Sequence, residues 1–439
     1  MKRRRVPTLA AATLVVVAVC AFYASRTMEA KPSAKPVTFT KDVAPILFKN
    51  CTSCHRPKGL GPMALLTYQD ALKAADDIAD VVSSGYMPPW HADAPRGTFH
   101  NDRRLTEAEK QTILRWVAGN TPQGNARDLP KAPEYPTGWS IGSPDAVITM
   151  PTPYTVPATG VIEYQYFEVP TNFTEDKFVQ AIEILPGARE VVHHVLVYAR
   201  PPGPPPPPGT PTPPPLLIRR RDHELPPDPA PEAQPRRLGA LLATTAPGTN
   251  VQIFPSGTAL RVQAGSVITF QMHYTAHGEH PVTDRTSVGM VFAKAPPAEQ
   301  IRASSFFNGQ LRIPPGAPDY QVPAEVGFRD AVRIWALFPH THLRGKRWEY
   351  RLVKPDGSSS VILSVPKYDF NWQTTYALNP PKPIPAGTRI VLDMSWDNSA
   401  QNPANPDPNR VVHWGEQTWD EMNVGWMRYR YAELSLIHI

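Results

Sequence analysis

Residues 265–275 read Gly-Ser-Val-Ile-Thr-Phe-Gln-Met-His-Tyr-Thr. Ile268, Phe270, Met272 and Tyr274 alternate with Thr269, Gln271 and His273. Successive side chains of a strand point to opposite faces, so this run predicts a β-strand with one apolar and one polar face. His273 falls on the polar face, away from the core of a simple sandwich. Runs of similar character recur at 161–169, 178–185, 191–199, 287–293, 331–338, 347–353, 388–396 and 424–432, with Pro, Gly and Asn between them. Many short strands separated by turn signals predict β-sandwiches. Proline supplies 54 of 439 residues, about twice the usual share of roughly 5%. That composition favours loop-rich β structure over helical bundles.

Upstream of this region the texture is helical. Thr40 is placed to cap a helix running through Ile46, Leu47 and Phe48. Thr106 and Glu109 form a T-x-x-E capping box ahead of Ile113, Leu114, Trp116 and Val117, and Gly119 is a stop. Residues 38–122 are long enough for a small helical domain, and a chain of 439 residues is expected to hold two or three domains. Residues 1–30 carry a basic start (Lys2 to Arg5) and an apolar run from Pro7 to Ala24. This predicts a cleaved export signal or, uncleaved, a membrane anchor. The chain is expected in the periplasm or another extracytoplasmic space.

Residues 201–236 are proline-rich and predict an extended surface insertion. Residues 434–439 resemble a translated adapter sequence and are expected to be a non-native tail. The net charge is +6, but Lys and Arg are scattered, so no nucleic-acid partner is expected. Of three cysteines, Cys20 lies in the apolar leader. Cys51 and Cys54 remain, too few for a disulfide framework.

Cys51-Thr52-Ser53-Cys54-His55 is a C-x-x-C-H motif. Two thiols at this spacing can add to the vinyl groups of a haem, and the adjacent histidine can reach the iron. A zinc site would need further ligands that the cysteines do not supply. The motif predicts covalent haem c on Cys51, Cys54 and His55. Met87, in Gly85-Tyr86-Met87-Pro88-Pro89-Trp90, is the favoured sixth ligand, with His91 as a rival; Met63, only 8 residues from His55, is expected to pack against the haem edge. Residues 38–122 resemble class I-type cytochrome c domains.

The thirteen histidines are clustered. His340 and His342 form an H-x-H, which on a strand places both rings on one side. His193 and His194 are adjacent and converge only where the backbone bends, as at a bulge or a strand end. Imidazole suits Cu, Zn, Fe and Ni, so residue type alone does not select the metal.

Four segments taken in order resemble the copper type II, ascorbate-dependent monooxygenases, the family of dopamine β-monooxygenase and peptidylglycine α-hydroxylating monooxygenase. They are Glu190-Val-Val-His-His-Val-Leu-Val-Tyr198, Gln271-Met-His-Tyr274, Pro339-His-Thr-His-Leu-Arg-Gly345 and Asp420-Glu421-Met422. The resemblance covers about residues 140–432. It implies two successive β-sandwiches, at 140–290 and 291–432, each holding one copper. It assigns His193, His194 and His273 to an electron-transfer copper, and His340, His342 and Met422 to the copper that meets dioxygen. Met394 and Met427 are rival methionines, but neither follows the Asp-Glu pair. The chain thus reads as multidomain: a small all-α cytochrome c domain, then two all-β, jelly-roll-like sandwiches.

The activity implied is hydroxylation of a C–H bond of a small organic substrate by dioxygen. Ascorbate or another small reductant is the implied electron donor. Relatives that amidate peptides carry a basic residue two positions before the H-x-H, where this chain has Phe338. Val424 and Trp426 replace polar positions after Met422. An apolar or aromatic substrate is therefore expected. The fused haem is expected to supply or relay electrons from an external donor to the copper pair. The competing expectation is a non-catalytic copper- or zinc-binding module with a haem that senses redox state or carries electrons.

Overall fold

A computed structural model describes residues 35–57, 59, 61–136, 138–160, 162–203, 217–218, 238–245, 251–415 and 417–432. The expected leader, most of the proline-rich insertion and the expected tail lie outside the described residues. The chain is mostly β-sheet with few helices.

The strand Val267–Tyr274 alternates as its sequence requires. Ile268, Phe270, Met272 and Tyr274 are buried in one apolar core with Val195, Val197 and Ile182. Each such side chain contributes about 1.5–3 kcal/mol on burial. This strand is central in a four-stranded sheet ordered 165–170, 267–274, 192–200, 240–245. The sheet packs over a nine-stranded sheet that begins with strands 146–149, 287–292, 177–185 and 258–262.

The nine-stranded sheet does not stop there. Glu299–Ile301 pairs in parallel with Thr258–Leu260, and the sheet continues through 424–431, 332–340 and 376–384. On this second half lies a six-stranded sheet that includes strands 359–365, 345–353, 389–396 and 324–327. Their shared core contains Trp348, Tyr350, Trp396, Leu337 and Tyr429. One continuous sheet therefore backs both sandwiches.

The polar face of Val267–Tyr274 is not open to water. Thr269 and Gln271 are buried, and Leu196 and Tyr198 on the neighbouring strand belong to the second core. Gln271 is satisfied by polar partners: its Nε2 donates to Tyr166 Oη at 2.7 Å and its Oε1 accepts from Tyr198 Oη at 3.4 Å. The four-stranded sheet is thus covered on both faces, and the histidine-bearing end of its two central strands lies at the seam between the sandwiches.

The N-terminal helices are Ala44–Asn50, Tyr68–Lys73, Ala75–Ser84 and Glu107–Ala118. Phe39, Val43, Leu47, Ile78, Ile113 and Trp116 form their core. The Thr106–Glu109 capping box is present in both directions. Thr40 caps nothing. A π-helical turn, Phe39–Val43, precedes the first helix, which leaves Thr40 buried with its hydroxyl unpartnered. Residues 90–99 leave the helical core altogether. Trp90, Ala92 and Phe99 join the core of the second sandwich. Their backbone is tied there by Asp93 N–H to Ser364 O, His100 N–H to Ala377 O and Asn379 N–H to Thr98 O. No helix among the described residues is long and apolar enough to cross a membrane.

Candidate metal centre

His193 and His194 converge through a bulge. His273 pairs with His194, but Tyr274 pairs with Val192, so His193 is the extra residue on its strand. The bend that two adjacent histidines need is built into the register. His194 Nδ1 lies 3.2 Å from His193 Nδ1 and 3.2 Å from His273 Nδ1. An imidazole nitrogen offers one lone pair or one N–H, so His194 Nδ1 cannot satisfy both neighbours by hydrogen bonding. A single cation can. With metal–imidazole distances of about 2.0–2.1 Å, two nitrogens on one ion stand about 2.9–3.6 Å apart. Tyr164 closes the far side: its hydroxyl is 3.0 Å from His194 Nε2 and its ring stacks on His273.

His340 ends the strand Val332–His340, and His342 lies in the turn that follows. Their ring centroids are 5.2 Å apart. His342 Nδ1 faces the Asp420 carbonyl at 3.2 Å. A carbonyl only accepts, so Nδ1 carries the proton and Nε2 keeps its lone pair. That Nε2 is buried and has no partner. Gln373 does the same for His340. Its Nε2 donates to Phe370 O, which turns Oε1 toward His340 Nδ1 at 2.8 Å. Both rings therefore present Nε2.

Glu421 organises this turn. Its carboxylate accepts from Thr341 Oγ1, His342 N, Arg344 N and Trp396 Nε1. Met422 follows directly and is buried. Met394 and Met427 are core residues of the second sandwich. Arg344 is fully buried, donating to Asn398 Oδ1 and Trp419 O.

The two histidine sets adjoin, with His194 and His340 ring centroids 6.5 Å apart. Phe370 packs against both sets, stacking on His193 and meeting His342 edge-on, each at 5.8 Å. Burial pushes His340 down to about 4, against the Gln373 hydrogen bond. Burial, then His193 and His340, push His273 down to about 3. His194 and His342 are held well below the usual imidazole range by burial and neighbouring rings, and His193 is lowered by burial. All five are neutral near pH 7, the form that binds a metal. Burial pushes Glu421 up to about 7, opposed by its donors.

Around His340 the wall is aromatic. Phe338 stacks on the ring at 6.3 Å, and Trp426 lies 5.4 Å from it. Phe338, Val424 and Trp426 are all buried.

The C-x-x-C-H turn caps the helix Ala44–Asn50. Cys54 and His55 N–H groups both return to Cys51 O. Cys51 and Cys54 are free thiols. Burial and Cys54 push the Cys51 thiol up to about 12, so it is protonated near pH 7. His55 Nδ1 faces Met63 O at 3.3 Å, which leaves Nε2 for a ligand. Gly61 lies against the same ring, where a Cβ would come within 2.5 Å of Nδ1. Beside Cys54 opens a cavity of about 1580 Å³, reached by Arg56, Arg103, His100 and Arg428. The lining includes Cys54 but not Cys51, His55 or Met87, so the fit to a haem rests on the C-x-x-C-H turn and the open Nε2 of His55, which would hold the group through Cys51, Cys54 and His55. Met87 is half-buried after the left-handed cap Gly85, its N–H bonded to Val81 O. Met63 packs against the helical core. His91 is lowered by burial and feels Asp369 of the second sandwich.

Residues 320–437 match the model of the C-terminal domain of copper type II ascorbate-dependent monooxygenases. Monooxygenases of that family are copper- and ascorbate-dependent, and the match supports copper monooxygenase chemistry for this region at the family level. The region contains His340, His342 and Met422. No curated protein matches the chain. Among solved structures, the cowpea mosaic virus empty particle is similar over 67% of this chain and 90% of its own, at 7% identity and TM-score 0.31. The major capsid protein of bacteriophage PM2 is similar over 64% and 97%, at 10% identity and TM-score 0.27. Likenesses this remote carry no argument about the monooxygenase region.

Sequence reasoning named the histidines but missed Gln373, Phe370 and Tyr164. It quoted Glu421 only as part of a signature. The one local signal was the recurrence of aromatic residues at Tyr368, Phe370 and Trp372 just before Gln373.

Proposed function

We propose that this chain is an exported copper monooxygenase that hydroxylates a C–H bond of a small, apolar or aromatic substrate, fed with electrons by a c-type haem. The observation that carries the reading is the seam itself. Five neutral histidines, three of them buried and two half-buried, converge there in two adjoining sets, one of them inside the matched region. His193, His194 and His273 would hold one copper through Nδ1. His340 and His342 would hold the other through Nε2, with Met422 as a soft third ligand. Copper at these residues supplies the dioxygen chemistry, in which one oxygen atom enters the substrate and the other leaves as water, with two electrons and two protons consumed.

The protein's own part is orientation and exclusion. Gln373 and the Asp420 carbonyl fix both tautomers in the H-x-H set. Phe370, Phe338 and Trp426 keep the surroundings apolar, which favours substrates without charge. Cys51, Cys54 and His55 would hold the haem, with Met87 as sixth ligand. Support for the electron route comes from docking: Tyr86, next to Met87, meets Trp372 edge-on at 6.2 Å, and Trp372 adjoins Gln373, the partner of His340. Export is supported by the leader pattern and by the haem motif.

The test is stoichiometry followed by turnover. Protein expressed in the periplasm and dialysed free of loosely held metal is expected to carry one haem and two tightly held coppers, and to place label from ¹⁸O₂ in a hydroxylated product. After reduction of the haem, its reoxidation by oxygen is expected to slow in His193→Ala and His340→Ala. Two coppers without labelled product would support the non-catalytic module instead. Unchanged haem reoxidation in both variants would remove the haem from the pathway.

A further inference from the structure

Outside the seam, one other group of described residues brings three metal-ligating side chains together. His277, Glu279 and His280 place a ligand atom each within 4.8 Å of one another, and all three are exposed. They sit on the turn Thr275-Ala-His-Gly-Glu-His-Pro281, which follows the strand ending at Tyr274. The turn is anchored on both sides. Thr275 N–H bonds Val191 O and Gly278 N–H bonds Ala158 O, each at 2.8 Å. Beyond it, Val282–Asp284 pairs with Tyr154–Val156. Gly278 has φ of 95°, a left-handed conformation that glycine adopts without strain. That single bend brings His277 and His280 together, with ring centroids 4.6 Å apart.

We propose that His277, Glu279 and His280 form a third, solvent-facing metal site that takes Cu(II). Two imidazoles and a carboxylate, with no thiolate or thioether, suit a borderline divalent ion, and among these Cu(II) binds most tightly. Bringing the ligand atoms to about 2.0–2.2 Å from one ion needs rotation of exposed side chains, not movement of the anchored backbone. Water fills the remaining positions, so this ion exchanges readily. The site is also near the seam: His277 is the fourth residue after His273, at most about 14 Å of extended chain. This site does not depend on the reading of the buried sets.

The test uses the full-length protein, stripped with a chelator and titrated with copper(II) sulfate under calorimetry and electron paramagnetic resonance. The wild type is expected to bind one Cu(II) more than His277→Ala/His280→Ala, whose melting temperature should be unchanged because the positions are exposed. Glu279→Gln should weaken that same equivalent and alter its spectrum. A chain lacking buried copper would still show this equivalent, which separates the two readings. Equal copper counts and identical spectra for wild type and the double variant would overturn the proposal.

Discussion

Gln373 decides which nitrogen His340 presents. Its Oε1 accepts from Nδ1 at 2.8 Å, and both residues are buried. Gln373→Leu would leave Nδ1 buried without an acceptor, at a cost of about 1–3 kcal/mol. Loss of such an outer partner should also lower copper affinity by about 10–100-fold. A copper titration beside a urea melt measures both. Unchanged affinity would mean that the tautomer is fixed by something else. Glu421 is a stronger case, because four donors converge on its carboxylate and Arg344 lies beside it, fully buried. Glu421→Ala should cost at least about 1–3 kcal/mol, the penalty of stranding a buried donor, read as a shifted urea midpoint, and a surface-sized loss would refute the role. At this scale, the pairing of His193 with His194 and of His340 with His342 was legible because their spacing is local. Gln373 and Phe370 were not, since they lie 33 and 30 residues from His340 along the chain and only folding brings them to it.

Elements behaved as their periodicity dictated where one face is apolar. The strand 267–274 was readable from alternation alone, and the bend required of His193 and His194 appeared as a one-residue bulge. Tyr376–Ile384 was not readable, because Pro380, Pro381 and Pro383 argue against a strand. It survives as the edge of the nine-stranded sheet, where missing N–H groups cost little. Residues 90–99 were also misplaced by sequence order. They follow a helix in the chain yet insert Trp90 and Phe99 into the second sandwich, against Tyr376. Trp90→Ala should therefore destabilise by about 3–5 kcal/mol. The loss should appear in the unfolding of the β-sandwich, followed by tryptophan fluorescence and far-ultraviolet dichroism. If only the helical signal changes, the segment belongs energetically to the helices.

For the whole molecule, the seam links folding to acid. Five buried or half-buried histidines are held neutral, with His340 lowered to about 4 and His273 to about 3 from an ordinary 6.5. Between pH 6.5 and those values the unfolded chain binds protons that the folded chain does not. Stability therefore falls as pH falls, by about 1.4 kcal/mol per pH unit for each such group. Glu421 acts in the opposite sense. Its folded value of about 7 lies above the ordinary 4.5, so its contribution is present at low pH and lost as pH rises through 7. One carboxyl offsets one histidine, and the remaining histidines set the sign. The consequence for copper is specific. In the folded chain protons compete for His340 and His273 only near pH 4 and below, so between pH 6.5 and 4 copper should leave because the seam unfolds. An acid titration of copper-loaded His277→Ala/His280→Ala protein, which lacks the exposed site, following bound Cu(II) by paramagnetic resonance and structure by circular dichroism, should show the two transitions together. Release of copper from intact protein near pH 6 would mean that the histidines titrate in the fold as they do in water, and that burial at the seam does not protect them.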